Sequence, residues 1–185
     1  MEKKIVIGGG CFWCIEAVFQ RVHGVISAKS GYMDGKIKNP TYREVCSGAT
    51  GHNEVVEITY NQDVISLEEI LEIFWSVHNP TTLNQQGADK GTQYRSGIYY
   101  YNSDERDIIQ LSIENVASKL WDDPIVTEVK EASEFYLAEA YHQDYYNRND
   151  YAGYCQIVIN PKLAKLRESF SHKIKKEYSE GERKF

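Results

Sequence analysis

The sequence predicts an α+β protein with a ferredoxin-like split β-α-β core and extra C-terminal segments wrapping the sheet. Three observations predict it. From Lys3 to Asn102 the elements run strand, helix, strand, strand, helix, strand, which is the split β-α-β order. "NEVVEITYN", residues 53–61, alternates apolar and polar as a half-buried strand does. Two segments repeat their apolar residues at helical spacing between the strands.

Lys3 to Ile7 reads as a short buried strand that runs into Gly8-Gly9-Gly10. Residues 11–22 place Phe12, Ile15, Val18, Phe19 and Val22 at helical spacing. Val25 to Tyr32 reads as the second strand, and "MDGKIKNPTY" as a loop rich in Gly, Asn and Pro. A short helical turn is expected over Tyr42 to Cys46. Ser66, with Glu69 three residues on, has the form of a capping box. The helix it opens carries Leu67, Ile70, Leu71, Phe74 and Val77 on one face. "SGIYYYN" reads as a strand. Ser103 is expected to cap the next helix, with Ile108, Leu111, Val116 and Leu120 inward, and Ile125 to Val129 to form a further strand. Asn160-Pro161 reads as cap and first position of a last helix with a stripe of Leu163, Leu166, Phe170 and Ile174.

With 185 residues the chain is expected to form one catalytic domain, 1–185, of which about 169–185 is a peripheral helix or frayed tail. Hydrophobic residues make up 42% and charged residues 26%, ordinary values for a globular protein. The net charge of −6 argues against a nucleic-acid binder. No apolar run reaches membrane-span length, and "MEKKIVIGGG" is too short in apolar residues for a signal-peptide core. The expectation is a cytoplasmic monomer.

Four cysteines, Cys11, Cys14, Cys46 and Cys155, do not make a secreted disulfide framework at this size. A structural zinc site wants two close pairs, and there is one. The C-x-x-C of "GGGCFWC" leaves three functional readings open: a metal clip, a thioredoxin-like disulfide shuttle, or a nucleophile beside its own resolving thiol. The bland alternative is two buried small hydrophobes. Cys11 follows three glycines and is expected at a helix N-terminus, where free N–H groups and the helix dipole lower a thiol pKa. That placement favours function. Cys46, on a helical face, reads as packing.

Four long motifs, "GGGCFWCIE", "GYMDGKIKNPTYREVCSGATGHNEVVEITYN", "GADKGTQYRSGIYY" and "AEAYHQDYYNRNDYAGYC", resemble the A-class peptide methionine sulfoxide reductases, over about residues 4–168. The resemblance implies reduction of the S epimer of methionine sulfoxide, free or in proteins, with no bound cofactor. It implies Cys11 as nucleophile, Glu44 as the acid, and Tyr32 and Tyr94 as the phenols that hold the sulfoxide oxygen. Phe12 and Trp13 would form the wall for the substrate methyl, with Asp89 and Tyr154 lining the site. Cys11 would become a sulfenic acid and then a disulfide. Cys14 is expected to resolve first and Cys155 to carry the disulfide onward. Thioredoxin, or dithiothreitol in vitro, would regenerate the thiols. His142 reads as a structural hydrogen-bonding residue. Asp34 stands where the family usually has glycine, so a charge near the site or a reshaped turn is expected there.

Overall fold

The computed structural model describes residues 1–181. In chain order it contains β1 (Glu2–Gly8), α1 (Phe12–Gln20), β2 (Val25–Met33), α2 (Tyr42–Cys46), β3 (Asn53–Asn61) and α3 (Leu67–Val77). A small hairpin, β4 (Gln85–Gln86) and β5 (Asp89–Lys90), precedes β6 (Gly97–Tyr100). Then come α4 (Ser103–Ser112), α5 (Ser118–Leu120), β7 (Glu128–Glu131), β8 (Tyr136–Leu137), α6 (Tyr145–Asn149), α7 (Asn160–Phe170) and α8 (Lys176–Gly181).

Six strands form one sheet in the order β7-β6-β1-β3-β2-β8. The inner four pair antiparallel, and their order β6-β1-β3-β2 is that of the expected split β-α-β core. β7 extends it in parallel beside β6, and β8 closes the other edge against β2. One sheet face buries Ile5, Ile7, Val56 and Ile58 against Ile15, Phe19, Leu71 and Phe74 of α1 and α3, with Leu163 and Leu166 of α7. The opposite face is thinner. There Val6, Met33, Val55 and Tyr99 are covered by Ala132 and Phe135 of the wrapping segment. Met33 is therefore a packing residue.

Several boundaries differ from the sequence expectation. Asn102, not Ser103, caps α4: its side chain accepts the Glu105 N–H at 2.9 Å. The buried face is Glu105, Ile109 and Ser112, while Leu111 and Leu120 are exposed. A π-helical turn over Ile113–Ala117 contributes to the misphasing, since it inserts a residue into the 3.6 repeat. Asn160 is not a cap either. The helix already starts as a π-helical turn at Cys155–Ile159, and the Asn160 side chain accepts the Tyr146 hydroxyl. The further strand falls at Glu128–Glu131, a few residues past its expected start.

The expected frayed tail is docked as far as it is described. Ile174 bridges Val22, the Lys175 N–H donates to the Arg21 carbonyl at 2.8 Å, and the Arg21 guanidinium lies 4.6 Å over the Tyr178 ring. Residues 182–185 of that expected tail lie outside the described residues.

Asp34 does not enter the site. It sits at φ 71°, and its carboxylate pairs with Arg95 at 3.0 Å and Lys130 at 3.1 Å. Arg95 also pairs with Glu128 at 3.0 Å and donates to the Gly51 carbonyl at 3.1 Å. Partial burial pushes the Glu128 carboxyl up, but Lys130 and Arg95 outweigh it and hold it at about 2. Depressed from 4.5, this carboxylate contributes stability above that pH and loses it as pH falls toward 2. Arg95→Met should thus cost about 2 kcal/mol at neutral pH, because it leaves two half-buried carboxylates to share Lys130 alone. Urea denaturation at pH 7 and pH 3 checks this, with the wild-type advantage shrinking at the lower pH.

Candidate active site

The site forms where β1 hands over to α1. Gly9 and Gly10 let two loops press against that junction. A Cβ on Gly9 would stand 2.8 Å from the His78 ring. Gly10, at φ 84°, would place one 2.7 Å from the Gln86 side chain. Cys11 then caps α1 in an extended conformation. The Phe12 N–H donates to Glu54 Oε1 at 3.2 Å.

Glu54 belongs to β3, opposite Tyr32 of β2. It is 1% exposed, and its second oxygen, Oε2, has no hydrogen-bond partner. Burial pushes its carboxyl up to about 8, aided by the charges of Asp89 and Cys14, while the Phe12 N–H pulls the other way. At neutral pH Glu54 is a protonated acid with a buried oxygen free to act.

Cys11 and Cys14 behave as a pair. Burial pushes the Cys11 thiol well up, and the hydrogen bond to Cys14 and the charge of Glu54 add to it. The helix start acts as expected, through the Trp13 N–H, but desolvation outweighs it. Cys14 moves down: its sulfur accepts the Cys11 thiol, against its own burial, with help from Lys162 and Tyr154. In the free protein Cys11 is the thiol and Cys14 the readier thiolate.

An aromatic wall stands over the pair. The Trp13 indole stacks on Tyr145 at 3.7 Å and 7°, meets Tyr154 edge-on at 5.8 Å, and donates Nε1–H to His142 Nδ1 at 3.1 Å. His142 is buried and fixes the indole, as the sequence reading expected of it. The Phe12 ring lies 5.7 Å from Tyr32 and 6.4 Å from Tyr42. Tyr145 and Tyr154 of the C-terminal segment thus cover the indole beside the buried thiols.

Two half-buried phenols, Tyr42 and Tyr94, complete the polar side. Burial keeps both from ionising, and the Glu54 charge adds to it. Tyr94 also senses Cys11, and its carbonyl accepts the Gly10 N–H at 3.2 Å. Asp89 accepts the Tyr154 hydroxyl at 2.7 Å, and that hydroxyl lies 3.7 Å from the Cys14 sulfur. Cys155 is fully buried and senses the Cys14 charge. Cys46 is half-buried beside the Tyr42 hydroxyl.

Cys11, Cys14, Phe12, Trp13, Tyr94, Asp89 and Tyr154 therefore come together, and two expected residues do not. Glu44 is exposed and spent on its own helix. Its carboxylate accepts the Thr41 N–H at 3.0 Å while the Thr41 hydroxyl accepts the Glu44 N–H at 3.2 Å, a capping box. Those bonds lower its pKa, so it cannot be an acid held neutral by an apolar pocket. Tyr32 is fully buried and donates its hydroxyl to Glu139 at 2.9 Å. The residues the sequence reading missed are Glu54 and Tyr42.

Comparisons with known proteins agree on the family. The model for peptide methionine sulfoxide reductase matches residues 3–174. The chain is 53% identical to a peptide methionine sulfoxide reductase MsrA of Paenarthrobacter aurescens over 169 residues, 91% of this chain and 97% of the relative. It is 52% identical to the enzyme of that name from Saccharolobus solfataricus, over 91% of this chain and 95% of the relative. Among solved structures, methionine sulfoxide reductase A of Corynebacterium diphtheriae is similar at TM-score 0.73 and 34% identity, over 82% of this chain and 76% of that one. Reduced Mxr1 of Saccharomyces cerevisiae is similar at TM-score 0.72 and 34% identity, over 83% and 89%.

Glu54 yields a stability test. Its pKa is raised from 4.5 to about 8, so the folded protein keeps a proton that the unfolded chain loses in that window. Stability tied to this group is complete below 4.5 and falls as pH rises to about 8. Glu54→Gln should therefore gain on wild type by on the order of 3 kcal/mol between pH 5 and pH 8, read by chemical denaturation at both.

Proposed function

The chain belongs to the peptide methionine sulfoxide reductase family, and we propose that it reduces the S epimer of methionine sulfoxide, free or in proteins, through a sulfenic acid on Cys11 and a disulfide to Cys14. The observation that carries this reading is the buried acid Glu54, tied to the first N–H of α1 beside Cys11. The substrate methyl packs on Phe12 and Trp13. The sulfoxide oxygen faces the Glu54 carboxyl and the Tyr42 and Tyr94 hydroxyls. The Cys11 sulfur is the third fixed point. Three fixed contacts around a chiral sulfur admit one epimer.

The electron flow balances within these residues. The Cys11 S–H bond breaks and its sulfur takes the sulfoxide oxygen. The substrate S–O bond breaks, the sulfoxide is reduced to the thioether, and Cys11 is oxidised to a sulfenic acid. Glu54 gives its proton to the transferred oxygen as the S–O bond lengthens and takes up the thiol proton in return, so the sulfenic acid carries one hydrogen and Glu54 is neutral again. A neutral Glu54 suits this role and an ionised one does not.

Resolution falls to Cys14. It lies one turn from Cys11, within the reach of a disulfide after small adjustment. Cys155 is fully buried and senses the Cys14 charge, so it is the next thiol to which the disulfide can pass. Thioredoxin, or dithiothreitol in vitro, then returns both thiols by exchange. The product is repaired methionine.

The assay uses S- and R-methionine sulfoxide with dithiothreitol. The expected result is conversion of the S epimer alone and none by Cys11→Ser. Glu54→Gln should lower kcat/KM by about a hundredfold or more, whereas Glu44→Ala, which loses only one half of an exposed capping box, should stay within about twofold of wild type. Equal losses in the two variants would contradict the assignment. Mass mapping of the oxidised protein should find Cys11 joined to Cys14, and a Cys11–Cys155 bond alone would refute that part.

A further inference from the structure

Glu139 is a charged residue that the mechanism above does not use, and three donors converge on its carboxylate. One oxygen accepts the Tyr32 hydroxyl at 2.9 Å. The other accepts the Tyr42 N–H at 3.0 Å and the Tyr141 hydroxyl at 3.1 Å. The backbone carbonyl of the same residue accepts the His142 N–H at 2.9 Å. Glu139 thus grips Tyr42 with its side chain and His142 with its main chain. Those two rings meet with their centres 4.3 Å apart. Tyr42 stands on the polar side of the cavity, and His142 holds the Trp13 indole on the methyl side. One residue of the wrapping segment therefore bridges the two sides.

We propose that Glu139 is a positioning residue for the reduction: through the Tyr42 N–H it seats the Tyr42 phenol beside the His142 ring, where that hydroxyl meets the sulfoxide oxygen. This rests on the reading of Tyr42 as a phenol that faces the oxygen, and deepens it. Tyr42 is the first residue of α2, so its N–H has no partner inside the helix. The Thr41 hydroxyl does not serve it, because it accepts the Glu44 N–H instead. A helix of five residues has little stability of its own. A bond from 97 residues along the chain therefore decides where its first side chain points.

A carboxylate suits three donors because, once ionised, it accepts and never donates. Partial burial pushes the Glu139 carboxyl up, but its own N–H, the Tyr42 N–H and the Tyr32 and Tyr141 hydroxyls outweigh it and hold it below the ordinary 4.5. It is charged at neutral pH. The two hydroxyls could turn and accept instead, whereas the Tyr42 N–H can only donate. What the site requires of residue 139 is thus one acceptor aimed at the start of α2. The same bonds divide the tyrosines. Glu139 takes up the Tyr32 hydroxyl, while the Tyr42 hydroxyl meets the Cys46 thiol, a weak acceptor that a sulfoxide oxygen displaces.

The test follows methionine release from S-methionine sulfoxide by reduced protein in a single turnover. Glu139→Leu should slow release about tenfold or more, and Glu139→Ala, which adds no bulk, should behave alike. Glu139→Gln should stay within about threefold of wild type, because its amide oxygen can take the Tyr42 N–H. The decisive arm adds Tyr42→Phe. With the phenol hydroxyl gone, Glu139→Leu should cost less than about twofold more, so the two losses do not add. A second readout needs no turnover. With 3-fluorotyrosine in place of Tyr42, the fluorine resonance should move or broaden in Glu139→Leu and keep its wild-type position in Glu139→Gln. Losses that add in the double variant, the mark of a general structural defect, would overturn the proposal. So would a Tyr42→Phe variant as fast as wild type, or an unchanged fluorine resonance in Glu139→Leu. If wild type releases no methionine, the reductase reading fails, and the fluorine resonance still decides whether Glu139 seats Tyr42.

Discussion

The hydrogen bond from the Phe12 N–H to Glu54 holds the site together. It joins the first turn of α1 to the central strand β3, and so locks the Cys11 cap to the sheet. A helix start needs partners for its free N–H groups. Here one of them is met by a side chain from across the core rather than by a local cap, and Cys11 supplies no side-chain cap bond of its own. The chain thereby places a buried acid beside a buried thiol. Both are neutral at rest, and on the proposed reading the reaction starts as Cys11 gives up its proton and Glu54 supplies one.

The surroundings enforce that neutrality. The wall formed by Phe12, Trp13, Tyr145 and Tyr154 excludes water from one side, and α7 closes the other. Desolvation then outweighs the helix start at Cys11 and the single N–H at Glu54. The free protein is thus a poised rather than an activated site: its readier thiolate is Cys14, and Cys11 has to give up its proton as the substrate arrives. This division of labour suits the pair. On the proposed reading the nucleophile is protected until a sulfoxide fills the wall, and the resolver gives up its proton more readily than the nucleophile does.

Much of this was legible in the chain. The strand over 53–61 and the short helix over 42–46 stand where the pattern puts them, and the three glycines before Cys11 do mark a tight strand-to-helix turn. The misassigned acid has a readable cause. "TYRE" is itself a capping-box pattern, which explains Glu44 without any chemistry. Glu54 falls in phase with Val56, Ile58 and Tyr60 on the buried face of its strand. A carboxyl on an apolar face was the signal. Tyr32 and Tyr42 were harder to separate, because Glu139, 107 residues beyond Tyr32, takes the Tyr32 hydroxyl but only the backbone N–H of Tyr42. The face of α4 and the start of the helix after Tyr154 were misread where π-helical turns occur, which no 3.6-residue repeat announces, while the Leu163, Leu166 and Phe170 stripe is buried as read.

The site depends most on Glu54 being a neutral acid in the free protein. Infrared difference spectra between wild type and Glu54→Gln, taken through a pH titration, read that carboxyl directly. The expected result is a protonated carboxyl band present at pH 7 and lost with a midpoint near about 8. A carboxylate band already complete at pH 7, with a midpoint near the ordinary 4.5, would contradict it.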